Sequence, residues 1–491
     1  MSSDHLAKAL HSISKELNNE LCLVNPFFRI SKGTPEQMKK YRYLSYKFLG
    51  IVMFFYLLIF IPFNVIRIVF YFFCSAIFFS QYKVYEDRNL DHEILFISHA
   101  IGDNIVGRKV DQFYSVIPEW LQAKKYTVGI LYTNHALFHY KKNSELLKSK
   151  NEMIGHYLMP KFLKPLENIE YLKLVIPISM KCLLLGFKKM LINKEESCLL
   201  LKAGVLFYGR ATYSNFLIGK RTHNSSLNRG RKFLVLTFEG HSYEQYLIDI
   251  LYQNDIEIKV VLLQHSPIVL DQHGVKQHLR SMKRKLQILV TGEMYERIFK
   301  CYSEIPTYQV IGSSKGKSNY LEKIQTKTKR ILFTPEGTVW ATVSFLKLIE
   351  KLSSNNQFFT YSIRLHPNLK QSLYLRILLN RLSKKKSFSI STYELEEDFE
   401  KSMFVIYRSS AVGVQALMSS AIPIFFGTAS ESGLNVLYKY ESIIPCASSP
   451  EEIAHFMETQ SCFISKQERV KIFSEIYSIL NKEKVLEVFN T

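Results

Sequence analysis

The sequence predicts an α/β protein with two doubly wound, Rossmann-like domains facing one cleft, preceded by an N-terminal hydrophobic segment that anchors it to a membrane. Three observations predict this. From about residue 91 onward, short runs of Ile, Val, Leu and Phe alternate with helical-length stretches. Most of those runs end in polar residues or glycine, and one stretch, residues 48–80, carries Arg67 as its single charge. At 491 residues the chain is long for one core and comfortable for two. Its 47% apolar content excludes a disordered or collagen-like chain, and its net charge of +21 calls for an anionic partner. The seven cysteines are scattered, with no Cys-x-x-Cys and no zinc spacing, which fits a reduced compartment.

Residues 1–46 contain Leu6, Leu10, Ile13, Leu17 and Leu21 at helical spacing, so an amphipathic helix is expected there, on the body or on a bilayer. The membrane-associated segment is placed at 47–82. Its uncharged run, 48–66, is long enough to cross hydrocarbon and begins too far in for a signal peptide. Lys39, Lys40, Arg42 and Lys47 precede it, and Lys83 and Arg88 follow. Basic flanks on both sides favour cytoplasmic ends, with a break at Pro62–Asn64 making a monotopic anchor; a single crossing is the alternative.

The first strand series gives a Rossmann-like domain at 88–314. Residues 94–97 lead into Ser98 and His99, then Gly102, Asp103 and Asn104; 128–131 lead into Thr133, Asn134 and His135. The run 233–238 ends in Glu239, Gly240 and His241, and 258–263 ends in Gln264, His265 and Ser266. Residues 288–290 and 310–311 complete the series. A hinge is expected near 312–329, and a second Rossmann-like domain at 315–478, followed by a tail at 479–491. Its runs are 331–333, ending in Thr334, Pro335, Glu336 and Gly337; 358–365, ending in His366 and Pro367; 403–406, ending in Tyr407, Arg408, Ser409 and Ser410; and 422–426. Ligands of open α/β sheets bind beyond the carboxyl ends of the strands, so these polar ends predict a site.

Within that site His366 can donate to a phosphate at a strand end, and Ser409 and Ser410 can cap a helix starting near Ala411, whose amides would receive an anion. Two acidic turns compete for the base, Glu239 and, as the alternative, Glu336. His241 beside Glu239 can orient it, and Glu244, His265 and Asp103 are expected acceptor contacts. No P-loop, dinucleotide fingerprint, nucleophile elbow or zinc-protease motif occurs, and no Asp-x-Asp to hold a metal, so a metal-independent mechanism is expected, without cofactor. The lysine runs, including Lys315–Lys329, are expected to be solvated loops. Nucleic acid is not an expected partner.

With those motifs in place, the chain resembles the bacterial GT-B glycosyltransferases that use CMP-activated sugars, the sialyltransferase, polysialyltransferase and Kdo-transferase groups of capsule and lipopolysaccharide synthesis. They share an acidic-acidic-Gly turn, a His-Pro motif and a Ser-Ser motif in that order, and Phe238-Glu239-Gly240, His366-Pro367 and Ser409-Ser410 occupy those places here. The resemblance implies Glu239 as base, His366 in contact with the donor phosphate, Ser409 and Ser410 holding that phosphate, Pro367 and Arg408 as further donor-binding residues, and Glu394 on the ribose. It further implies that 88–314 receives the acceptor and 315–478 the nucleotide-sugar. Phe238 replaces the first acid of the pair. The implied enzyme is an inverting transferase on the cytoplasmic face of a bacterial inner membrane, taking a sialic acid- or Kdo-like sugar to a surface glycan or lipid-linked acceptor. A UDP, GDP or CDP donor, a CDP-polyol phosphotransferase and a non-catalytic polysaccharide-assembly protein are the alternatives.

Overall fold

The computed structural model describes residues 49–77, 92–100, 113–134, 154–316 and 329–490, apart from 161, 209, 227–230, 254–256, 356–357, 367–368, 370–372 and 460–463. It also describes 8–10, 12–13, 16–17 and Asp111.

The hydrophobic runs assemble into two parallel sheets. The first joins β1 (Ile94–Ala100), β2 (Val128–Asn134), β3 (Gly155–Leu158), β4 (Phe233–Thr237), β5 (Lys259–Leu263), β6 (Gln287–Val290) and β7 (Thr307–Val310) in the order β3-β2-β1-β4-β5-β6-β7. The second joins β8 (Arg330–Thr334), β9 (Thr360–Ile363), β10 (Phe388–Ile390), β11 (Phe404–Tyr407), β12 (Ile422–Phe426) and β13 (Cys446–Ala447) in the order β10-β9-β8-β11-β12-β13. Each sheet winds outward one way and then the other, reversing between β1 and β4 and again between β8 and β11. Continuous apolar runs suit strands covered on both faces, and every residue of β4, β8 and β11 is buried.

The helices that bear on the site and the core are α1 (Leu49–Ile77), α2 (Pro165–Lys189), α3 (Lys194–Leu206), α4 (Arg210–Ser226), α5 (Ser242–Gln253), α6 (His273–Ser281), α7 (Glu293–Lys300), α8 (Val339–Asn355), α9 (Lys466–Ile476) and α10 (Lys482–Phe489). Between β3 and β4, helices α2, α3 and α4 form an inserted bundle with its own core, which takes in Leu10, Ile13 and Leu17 from the N-terminal segment. Those leucines and isoleucine are 0–1% exposed, so at the described positions this segment packs on the body.

Helix α1 runs unbroken through Pro62, against the expected turn at Pro62–Asn64. The bundle grips it: Asn64 Nδ2 donates to Val205 O at 3.3 Å, Asn168 Nδ2 donates to Ser75 Oγ at 3.1 Å, and Tyr71 stacks on Tyr213 at 4.2 Å. Ile59, Phe63, Ile66, Phe70 and Phe73 on its other side are exposed. Among the described residues no helix is long and apolar enough to cross a membrane.

The chain ends by crossing back. Arg469 of α9 donates to Ser419 O and Ala421 O, both at 2.7 Å, within the second domain. The chain then passes the first: Ser478 N donates to Thr291 O and Asn481 N to Ile311 O. Residues 479–490 contain α10, whose Val485, Val488 and Phe489 join the first sheet's core with Phe233. Tyr407, Leu417, Phe425 and Tyr477 meanwhile share a cluster with Phe238, Leu279 and Tyr295, so one apolar interface unites the two halves.

Candidate functional site

Both sheet reversals carry polar strand ends, and the halves that hold them share one apolar interface. On the first sheet, the turn after β4 places Glu239. Gly240 has φ +78°, and a Cβ there would overlap the backbone of Gly274 and Val275 at the start of α6, so only glycine lets the turn seat. The next helix fixes the turn from below: Glu244, fully buried, accepts from the backbone N–H groups of Glu239, Gly240 and His241 at 3.0, 2.9 and 3.0 Å. Burial pushes the Glu244 carboxyl up to about 7, against the pull of the His241 charge and the backbone donors.

The Glu239 side chain is thereby aimed at three donors. Ser266 Oγ donates to Oε1 at 2.7 Å, His265 Nε2 lies 3.2 Å from the same oxygen, and His241 Nε2 is 3.0 Å from Oε2. Burial lowers the His265 pKa to about 4, so near neutrality its imidazole is uncharged and acts as a hydrogen-bond donor rather than an ion-pair partner. Gln272 Nε2 holds the Glu239 carbonyl at 2.8 Å. The Glu239 side chain remains one-quarter exposed, open to an incoming hydroxyl.

The neighbouring strand ends interlock. His99 at the end of β1 bonds Thr133 at 2.6 Å and Tyr243 at 2.9 Å, and Tyr243 bonds Thr237 at 3.1 Å. Asp103 lies outside the described residues.

On the second sheet, Arg408 leaves the end of β11 and is 1% exposed. Its Nε and Nη2 grip Glu336 at 3.1 and 2.9 Å, its Nη1 reaches Glu431 at 3.2 Å, and its guanidinium lies over the Trp340 ring at 4.7 Å. The expected donor-binding arginine is thus matched internally by two carboxylates. The alternative base, Glu336, is bound in the same triad, its pKa raised because burial outweighs Arg408.

His366 lies on the Glu336–Gly337 turn: a Cβ on Gly337 would stand 2.9 Å from its Nδ1. Its pKa is lowered by burial. Ser409 sits in the left-handed region at φ +45°, which presses a non-glycine residue into a tight turn, and Ser410 Oγ caps Val412 N at 3.3 Å. The helix behind these serines is a four-residue piece, Val412–Gln415, so the turn offers hydroxyls more than a helix dipole. Glu394 is exposed at the cap of Leu395–Glu400, beyond edge strand β10 and two strands from the reversal. Pro367 lies outside the described residues.

The halves touch where Asp271 N donates to Gly433 O at 2.9 Å, one residue before Gln272 and two after Glu431. Lys315, expected in a solvated loop, is instead drawn in at the crossing. Its ammonium lies 5.6 Å from the Tyr477 ring centroid, and burial lowers its pKa while the Glu239 charge raises it. Charge density in a lysine run does not disclose which member a domain interface will cover. Tyr243 and Glu431 were equally silent, being an aromatic on a helix and a glutamate in a 3₁₀ turn. Among the described residues no cluster of three or more His, Cys, Asp or Glu is arranged to hold a metal ion.

No protein-family profile and no curated protein matches the chain. Several solved structures are similar to it in outline. The glycotransferase of kitacinnamycin aligns over 81% of this chain and 98% of its own at 7% identity and TM-score 0.47. Methanocaldococcus jannaschii UDP-GlcNAc 2-epimerase aligns over 81% and 99% at 9% identity and TM-score 0.48. Acinetobacter baumannii MurG aligns over 81% and 99% at 10% identity and TM-score 0.43. With scores of that size, the chemistry of the site has to be read from this chain's own residues.

Proposed function

We propose that the chain is a glycosyltransferase that moves a sugar from a nucleotide-activated donor to a hydroxyl of a surface glycan or lipid-linked acceptor, working at the cytoplasmic face of a bacterial membrane. The observation that carries this reading is the Glu239 carboxylate, fixed by three side-chain donors at one sheet reversal of a chain whose two halves share an apolar interface. In this reading Glu239 takes the proton from the acceptor hydroxyl as that oxygen attacks the anomeric carbon. The bond to the nucleotide phosphate breaks, and His366, Ser409 and Ser410 stabilise the departing oxyanion. The motif order favours a CMP-linked sialic acid- or Kdo-like donor, and a UDP-linked sugar is the competing donor.

Thermal shift against CMP, UDP, GDP and CDP identifies the nucleotide, and release of that nucleotide from its sugar in the presence of acceptor tests the reaction. Glu239→Gln is expected to lower turnover by roughly 10²–10⁴-fold while the nucleotide-induced shift persists. Full turnover in that variant removes Glu239 from the mechanism, and no shift with any nucleotide removes the transferase reading.

A further inference from the structure

The inserted bundle presents a second apolar face that neither the site nor the sheets use. Helix α2 is 25 residues long, about 37 Å. Tyr171, Val175, Ile178 and Cys182 face inward and are buried, whereas Ile169, Ile176, Met180, Leu184 and Phe187 are 42–58% exposed at helical spacing on the opposite side. The stripe continues into Leu191 and Ile192, which are 94% and 87% exposed. Such a continuous outward stripe is more than the scattered apolar residues of an ordinary surface.

Charge decides what covers it. The two acids of α2 are tied down by α4: Glu167 pairs with the buried Arg221, and Glu170 with Lys220 at 2.7 Å. Lys181 donates to Leu17 O at 2.9 Å, and the exposed ionic groups left along the helix, Lys173 and Lys188, are both cationic. An apolar stripe bordered by lysine matches an anionic bilayer surface, with the chains in the acyl boundary and the lysines at the headgroups. Helix α1 is bonded to the same bundle through Asn168–Ser75 and exposes apolar side chains of its own.

We infer that α2 and the Leu191–Ile192 turn form, with α1, a two-helix platform that docks the enzyme in the plane of an anionic membrane. This deepens the membrane part of the proposed function and rests on it. The test is flotation of the full chain with vesicles of phosphatidylglycerol and phosphatidylethanolamine, against phosphatidylcholine alone. Wild type is expected to float with the anionic vesicles and to be released by salt. Leu191→Glu/Ile192→Glu, at positions too exposed to matter for folding, is expected to reduce the bound fraction on the order of tenfold. A tryptophan introduced by Leu191→Trp is expected to shift its emission to the blue on those vesicles.

Unchanged flotation of the double variant, or unchanged Leu191→Trp emission, overturns the platform. So does light scattering in which wild type is a dimer and the double variant a monomer, because the face would then be covered by a second copy. Ile66→Glu/Phe73→Glu separates the two readings: if it alone abolishes flotation, α1 anchors without α2, and if it too floats like wild type, the anchor reading falls as well.

Discussion

Two buried groups of opposite kind flank the Glu239 turn, and their protonation pulls stability in opposite directions. Glu244 is raised from 4.5 to about 7, so its contribution is fully present below pH 4.5 and is lost as pH rises through 7. His265 is lowered from 6.5 to about 4, so its contribution is present above pH 6.5 and is lost as pH falls through 4. Between those limits the two oppose each other. Glu244→Gln keeps one carbonyl acceptor for the three backbone N–H groups but cannot ionise, leaving His265 unopposed. Urea midpoints of this variant are therefore expected to fall more steeply than those of wild type as pH drops from 6.5 to 4.5, the difference approaching about 1.4 kcal/mol per pH unit at most. Parallel curves would mean that Glu244 does not titrate in that window.

At the scale of elements, the site depends on two turns with left-handed residues, and these predict opposite responses. Gly240 at φ +78° abuts α6, so Gly240→Ala combines strain with a backbone collision and is expected to cost more than about 2 kcal/mol, read as a lower melting temperature. Ser409 at φ +45° is already strained, so Ser409→Gly is expected to raise thermal stability by up to about 1 kcal/mol while weakening nucleotide binding through the lost hydroxyl. The strands that frame these turns were legible because β4, β5, β11 and β12 are largely apolar runs that stop at polar residues or glycine. β3 reads Gly-His-Tyr-Leu and β13 has two residues, too short and too polar to stand out beside the loops they adjoin. The inserted bundle escaped notice for a different reason: α2 is apolar toward both its core and its outer face, which blurs the one-sided pattern by which a packed helix is recognised. Arg408 sat at a foreseen strand end, but its partner Glu431 comes from a 3₁₀ turn after β12, and only the folded chain brings them together.

On the scale of the whole molecule, the order of the chain does not match the order of its cores. The last helix belongs to the second half by sequence and to the first by packing. Gly292 and Gly312 have no Cβ where the backbone of 475–479 passes, so the returning segment lies directly on the ends of β6 and β7. Phe489, 4% exposed, then meets Phe233 edge to face at 5.0 Å, at the start of the very strand that ends in Glu239. A protein closed in this way should unfold as one unit, because neither half retains its full core when the other opens. Phe489→Ala is expected to cost about 3–5 kcal/mol, the usual penalty for emptying a buried aromatic site. Scanning calorimetry should show one transition for wild type and a lower single transition for the variant. Two separated transitions in wild type, with only the first-domain transition moved by Phe489→Ala, would show instead that α10 serves one core and does not join the two.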